Sequence, residues 1–277
     1  MIPRAHITAW RGTAPWSTDA QIEQDLVLSR TIVELFSNSL LRAQLAFRGG
    51  TALHKLFLTP AQRYSEDIDL VQVEAGPIGP IMEALHKTLD PLLGEPRRKQ
   101  SRGRNTFIYR FDSEIPPITP LRLKVEINAR EHFAVLGYEK KNYGVTNPWF
   151  TGNTELVTYP IEELLGTKLR ALYQRKQGRD LFDLAIALQR SPGFDPQKTV
   201  HCFLKYVEHD RTRITRIQFE ANLREKLSDP VFRQDISPLL VSGTALSLSL
   251  QPKQAAKTVL ETFIRLLPDP RAKKRSR

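Results

Sequence analysis

Arg48-Gly49-Gly50-Thr51-Ala52-Leu53 is followed, nine residues later, by Arg63-Tyr64-Ser65-Glu66-Asp67-Ile68-Asp69-Leu70. The first stretch is a Gly-Gly turn running into an apolar-periodic segment, and the second reads as an acid–apolar–acid strand. Side chains alternate along a strand, so Asp67 and Asp69 share one face while Ile68 and Leu70 point into the core. Neighbouring carboxylates disfavour a jointly ionised state. A hard cation removes that penalty, and Mg²⁺ favours one or two carboxylates plus substrate phosphates. Gly49 and Gly50 lack a Cβ, which lets backbone N–H groups approach an anion closely. A helix opening at Thr51 adds the favourable end of its dipole. Ser65 lies on the face of both aspartates, in reach of a phosphate oxygen. Singly, an Asp-x-Asp strand is usually a solvent-facing strand and a Gly-Gly pair is usually only a turn. In this order they make a phosphate-holding turn followed by paired carboxylates, the arrangement that metal-assisted nucleotidyl transfer needs.

A second strand, Leu121–Asn128, places Lys124, Glu126 and Asn128 on one face and Leu123, Val125 and Ile127 on the other. An acid among apolar neighbours is costly unless it is paired or metal-bound. Glu126 is therefore the expected third metal carboxylate, against the alternatives of an edge glutamate in water or one paired with an arginine. Arg97, Arg98, Lys99, Arg102 and Arg104 form a basic hairpin-like loop before the strand Thr106–Phe111, suited to a nucleic-acid backbone. Lys168 sits among Leu164, Leu165, Leu169 and Leu172, where a lysine needs a partner, and an anion or phosphate is one candidate. Asp180 and Asp183, at i and i+3, share one helix face. Their plainer role is to complement the helix dipole.

The chain has 277 residues and a net charge of +11. The tail Arg271–Arg277 carries five of the positive charges, and the remainder is still basic, which favours a polyanionic partner. A charged tail that serves only solubility is the competing explanation. No apolar run is long enough for a membrane span, and the N-terminus lacks the apolar core of a secretory signal. A single cysteine, Cys202, excludes an internal disulfide and fits a reducing cytoplasm.

Residues 1–19 read as an extended arm anchored by Trp10 and Trp16. A cap signal at Ser17-Thr18-Asp19 opens a helix to about Ser37, with a short continuation through Leu40–Ala46. A helix is expected to about Leu58, another over Ile81–Leu93, and a loop-rich region over 130–158. Helices begin at Pro160 and Gly178, and helical patterns follow over Val200–Val207, Arg213–Leu227 and Lys253–Leu267. The expected architecture is α+β. Residues 1–158 are expected to form an N-terminal domain with a mixed sheet, N-terminal arm and helix. Residues 159–277 form a helical domain with a basic tail, facing the first across a cleft.

Phe47–Lys55, Arg63–Leu70, Lys124–Asn128, Thr167–Leu172 and Arg179–Leu184 together resemble the AbiEii/MenT-type nucleotidyltransferase toxins, in family order and over roughly residues 20–190. The resemblance implies that the N-terminal domain, residues 1–158, is a polymerase-β-like nucleotidyltransferase domain and that the C-terminal domain is helical. It implies Mg²⁺-dependent transfer of a nucleotide from an NTP to the 3′ end of tRNA, which blocks aminoacylation and translation, and a cognate antitoxin. Asp67 and Asp69 then match the metal-binding pair and Ser65 the serine before it. Lys168 matches the lysine on the triphosphate, and Asp183 the later essential acid with Asp180 as runner-up. Gly49, Gly50 and Thr51 belong to the nucleotide-binding turn. The resulting mechanism is in-line attack of an RNA 3′-hydroxyl on the α-phosphorus, with Glu126 orienting or deprotonating that hydroxyl. A phosphate on Ser65 would inhibit by adding charge beside the carboxylates. Two other readings are transfer to a protein or small-molecule acceptor, and a non-catalytic nucleic-acid-binding regulator.

Overall fold

The structure is a computed structural model that describes residues 2–101, 103–191, 193–240, 247 and 250–269. Arg102 and the basic tail 271–277 lie outside the described residues. The chain divides into two compact units, residues 1–159 with 239–242, and residues 160–238 with 243–277.

The first unit begins with α1 (Arg4–Trp10), α2 (Asp19–Ser37) and α3 (Ser39–Gln44). It continues with β1 (Leu45–Arg48), α4 (Gly49–Leu56), β2 (Asp67–Gln72) and α5 (Gly79–Leu93). Five strands follow: β3 (Arg97–Ser101), β4 (Arg104–Asp112), β5 (Pro120–Asn128), β6 (Glu139–Asn147) and β7 (Phe150–Thr158). All seven strands join one mixed sheet in the order β3-β4-β5-β2-β1-β7-β6. β2 runs parallel to β5 and β1 parallel to β7, and the other neighbours are antiparallel. One face of the sheet is the core. Ile68, Leu70, Phe107, Tyr109, Leu123, Val125 and Ile127 are buried there, on the side covered by α2 and α5. The alternation read in the strands at 67 and 121 is thus the division between this apolar face and an open polar one.

Three sequence expectations change. The N-terminal arm is not extended: residues 4–10 are helical, with Ile7 and Trp10 on the buried side. Seven residues are too few for a periodic signal to emerge. The short helical continuation ends at Gln44, and Leu45–Arg48 is a central strand between β2 and β7. A run of four mostly apolar residues reads equally well as helix or strand until its neighbours are known. The region 130–158 holds the hairpin β6–β7 rather than mainly loops. β6 is an edge strand whose sequence, Glu-Lys-Lys-Asn-Tyr-Gly-Val-Thr-Asn, carries little apolar alternation.

The second unit is helical: α6 (Ile161–Gln174), α7 (Gly178–Arg190), α8 (Pro196–His209), α9 (Arg216–Ser228), α10 (Pro230–Gln234) and α11 (Pro252–Thr262). Side-chain caps fix several starts. Thr18 with Gln21 and Thr215 with Gln218 form capping boxes on α2 and α9, while Asp195 and Asp229 cap α8 and α10. α6 and α8 pack closely at Gly166, where a Cβ would lie 2.7 Å from that of Cys202. Burial pushes the Cys202 thiol up to about 12, so it is an inert core residue.

A buried ion pair ties the N-terminal elements to α4. Lys55 Nζ donates to both Asp25 carboxylate oxygens at 2.8 Å and to Ser29 Oγ at 3.0 Å. The indole N–H groups of Trp10 and Trp16 donate to the same carboxylate at 2.9 and 3.0 Å. The tryptophans are therefore internal anchors of the N-terminal segment, as the sequence reading expected. Asp25→Ala leaves the Lys55 charge without its partner and should cost about 3–5 kcal/mol. Urea unfolding measures this, and a loss below about 1 kcal/mol would show the pair to be dispensable.

Candidate active site

The site in the first unit is built where β1 turns into α4 beside β2. Arg48 is extended, and Gly49 then adopts φ +84°. That left-handed conformation is one glycine accepts without the cost a Cβ imposes. A Cβ on Gly49 would also fall 2.3 Å from Asp69 Oδ2. The turn therefore needs glycine twice over, for its backbone angle and for the space that the Asp69 carboxylate occupies. α4 starts at Gly49 itself, two residues earlier than expected, and no side chain caps it. The Asp69 carboxylate rests against the first residue of a helix start, where the macrodipole favours negative charge. Thr51 Oγ1 does not cap. It donates to the Asp67 carbonyl oxygen at 2.5 Å and lies 2.8 Å from Ser65 Oγ, tying the helix to the approach of β2.

Strand pairing brings the second carboxylate set into register. Asp67 lies opposite Lys124 and Asp69 opposite Glu126 on parallel β2 and β5, while Arg48 lies opposite Asp69 on β1. Lys124 Nζ is 2.9 Å from Asp67 Oδ2 and 3.8 Å from Glu126 Oε2. Arg104 Nε is 3.1 Å from Glu126 Oε1, and Arg48 is held by Glu131 at 2.7 Å. Burial raises the Asp67 carboxyl above its ordinary value, and the Asp69 charge adds to this against the opposing pull of Lys124. Burial works against the Lys124 charge, but the charge and hydrogen bond of Asp67, with the charges of Asp69 and Glu126, together overcome it and raise Lys124 above its ordinary value.

The acids fit a divalent cation in one respect and depart from expectation in another. Asp67 and Asp69 lie side by side on the open face, and Lys124 places a positive charge on them where burial alone would favour protonation. Among the described residues, however, no three His, Cys, Asp or Glu side chains gather into a metal-ready cluster. Glu126 is beside Asp69 by register, but Arg104 and Lys124 engage its carboxylate. Of the alternatives read from the sequence, the arginine pair is formed at Arg104, and Glu126 stands next to Asp69 as the third-carboxylate assignment requires.

In the second unit, Lys168, Asp180 and Asp183 come together. Lys168 Nζ is 2.7 Å from Asp183 Oδ2 and 3.2 Å from Asp180 Oδ1. Arg175 grips Asp180 with two bonds, at 2.7 and 2.8 Å. Both aspartates are fully buried and Lys168 nearly so. The partner that the sequence left open for Lys168 is thus this carboxylate pair. Burial works against the Asp180 charge, but Lys168 and Arg175 overcome it and hold its carboxyl below the usual range. Lys226 adds a further buried cation, donating to the Leu172 and Tyr173 carbonyls at the end of α6.

Sequence reasoning missed Lys124 and Arg48 as members of the acidic site. Lys124 was placed on the face of Glu126, but only the β2–β5 pairing sets it against Asp67.

A same-face aspartate pair beside a glycine turn and an uncapped helix start is an arrangement suited to the nucleotidyltransferase class. The family model for the nucleotidyl transferase AbiEii toxin of type IV toxin–antitoxin systems matches residues 30–262, and the chain belongs to that family. It is a nucleotidyltransferase toxin, and membership implies an NTP donor and a cognate antitoxin. The fold is similar to that of MenT4, a nucleotidyltransferase toxin from Mycobacterium tuberculosis H37Rv. The TM-score is 0.69 at 18% identity, covering 99% of this chain and 93% of that one. An antigenic nucleotidyltransferase-like protein from Paracoccidioides brasiliensis gives a TM-score of 0.39 at 17% identity, covering 77% and 94%. No curated protein sequence matches. No helix among the described residues is long and apolar enough to cross a membrane.

Gly49→Ala should displace Asp69 and strain the turn by about 1–2 kcal/mol. Nucleotidyl transfer should fall by about 100-fold or more, since misplacing a catalytic group by an ångström has that effect. Gly79→Ala, with nothing within 4 Å of the added carbon, serves as the control. Comparable activity in the two variants would refute the role of the turn.

Proposed function

We propose that this toxin transfers a nucleotide from an NTP to the 3′-hydroxyl of tRNA, with Mg²⁺ held by Asp67 and Asp69, and that it acts in the cytoplasm. The observation that carries the proposal is the placement of the Asp69 carboxylate against Gly49, at an uncapped helix start, with Asp67 beside it on the same open face. When bound, Mg²⁺ would supply charge neutralisation at the reacting phosphoryl group and lower the pKa of the attacking hydroxyl.

The residues of the chain have separable parts in this scheme. Gly49, Gly50 and Thr51 form the turn on which the phosphates rest, and Ser65 presents its hydroxyl beside Thr51. Asp67 and Asp69 would hold Mg²⁺, whose charge would offset that of the phosphates. Glu126 positions Arg104 and Lys124 around the acids. Lys124 holds Asp67 at 2.9 Å; a cation on that carboxylate would compete with the ammonium, which would then be available to a phosphate oxygen. Lys168 is the assigned triphosphate contact, and Asp183, with Asp180, holds it in place. For Lys168 to reach phosphate, its 2.7 Å pair with Asp183 must be shared or opened. The net positive charge of the chain supports a polyanionic acceptor over a small molecule or a protein.

Purified protein, Mg²⁺, each labelled NTP separately and total tRNA, resolved on a denaturing gel, test the proposal. A tRNA-sized labelled band with wild type that falls by about 1,000-fold or more in Asp67→Ala is expected, in line with removing a principal electrostatic element. Full incorporation by Asp67→Ala would refute the assignment. Labelling of added protein or drug instead of tRNA would refute the acceptor.

A further inference from the structure

The open face of the sheet extends past the acid pair over β5, β4 and β3, and its charges are unevenly distributed. Register fixes which side chains share that face: Lys124 lies opposite Ile108, which lies opposite Arg97, and Glu126 lies opposite Thr106, which lies opposite Lys99. Arg104 and Arg110 on β4 and Arg122 on β5 have the same orientation, alternating with the buried Asn105, Phe107, Tyr109, Leu121 and Leu123. The basic stretch expected as a loop is therefore mostly strand. Arg97, Lys99 and Arg104 face the acids' side, and Arg98 faces away.

Two features separate this surface from an ordinary solvated face. Arg110 lies directly opposite Arg122, an arrangement of like charges that destabilises a sheet. Glu66 relieves Arg122, at 3.4 Å, but among the described residues no ion pair engages Arg97, Lys99 or Arg110. Charges on an exposed edge strand often serve to block edge-to-edge aggregation. That explains β3 and leaves Arg110 unexplained, because β4 is an interior strand.

We propose that this face is the docking surface for the RNA acceptor, with Arg97, Lys99 and Arg110 contacting the phosphates that lead to the 3′ end at Asp67 and Asp69. The inference rests on the tRNA reading above. β3 is three strands from β2, about 14 Å at the usual strand spacing, so the surface spans only the terminal few nucleotides. Its side chains between the cations are Thr106 and Ile108, with no aromatic ring on which a base could stack. Recognition is then through the backbone, tolerant of sequence and sensitive to salt.

The test is fluorescence anisotropy of a 5′-labelled tRNA transcript over a salt series, in EDTA and without NTP. Arg97→Gln/Lys99→Gln/Arg110→Gln should weaken binding by about tenfold or more. It should also reduce the log–log salt slope by about 2, at about 0.7 per lost single-strand phosphate contact. Arg110→Gln alone should reduce the slope by about 0.7. A charge-matched control, Arg42→Gln/Lys87→Gln/Lys140→Gln, should bind as wild type does, and circular dichroism confirms the fold of each variant. Wild-type slope and affinity in the face variant, or an equal loss in the control, would overturn the surface while leaving the tRNA reading intact. No tRNA binding by the wild type would overturn both.

Discussion

Negative charge held against a helix start organises this molecule. Asp69 sits against Gly49 because that glycine has no side chain and a backbone angle other residues avoid. The same turn converts β1 into α4, and α4 is anchored from behind by the buried pair of Lys55 and Asp25. The N-terminal helix and both tryptophans pack onto that pair through their indole N–H groups. Much of the first unit can thus be read as support for one carboxylate, with Asp67 placed beside it by the two-residue period of the strand.

Charge balance in the two units follows one rule. Buried and half-buried carboxylates survive where a cation meets them, as Lys168 and Arg175 meet Asp180 and as Lys124 meets the half-buried Asp67. The second cluster is sealed, and its aspartates have no exposed surface. The first is half-open, and Asp67 keeps a raised pKa despite its lysine. That difference suits the first to exchange its counter-charge, while the second holds Lys168 until its pair with Asp183 is shared or opened.

Much of this was legible in the sequence. The alternation of Asp67-Ile68-Asp69-Leu70 and of Leu123 to Asn128 marks two strands with a polar and an apolar face, and the structure keeps both. The facing of Asp180 and Asp183 followed from helical spacing, and the shared cation on Lys168 agrees with it. What stayed hidden depends on pairing between distant segments. Nothing local shows that β2 runs parallel to β5, so the contact of Lys124 with Asp67 and the diversion of Glu126 to Arg104 could not be read. β1 was hidden for another reason: three buried residues and a half-buried arginine between two neighbouring strands carry no period. β6 was hidden because an edge strand need not alternate.

The most direct measurement is a crystal structure with Mn²⁺ and a non-hydrolysable NTP, with anomalous scattering used to locate the ion. The account predicts an anomalous peak at the Asp67 and Asp69 carboxylates, with the triphosphate at the Gly49–Thr51 turn and Lys124 withdrawn from Asp67. A nucleotide bound elsewhere, or an ion held without either aspartate, would contradict it.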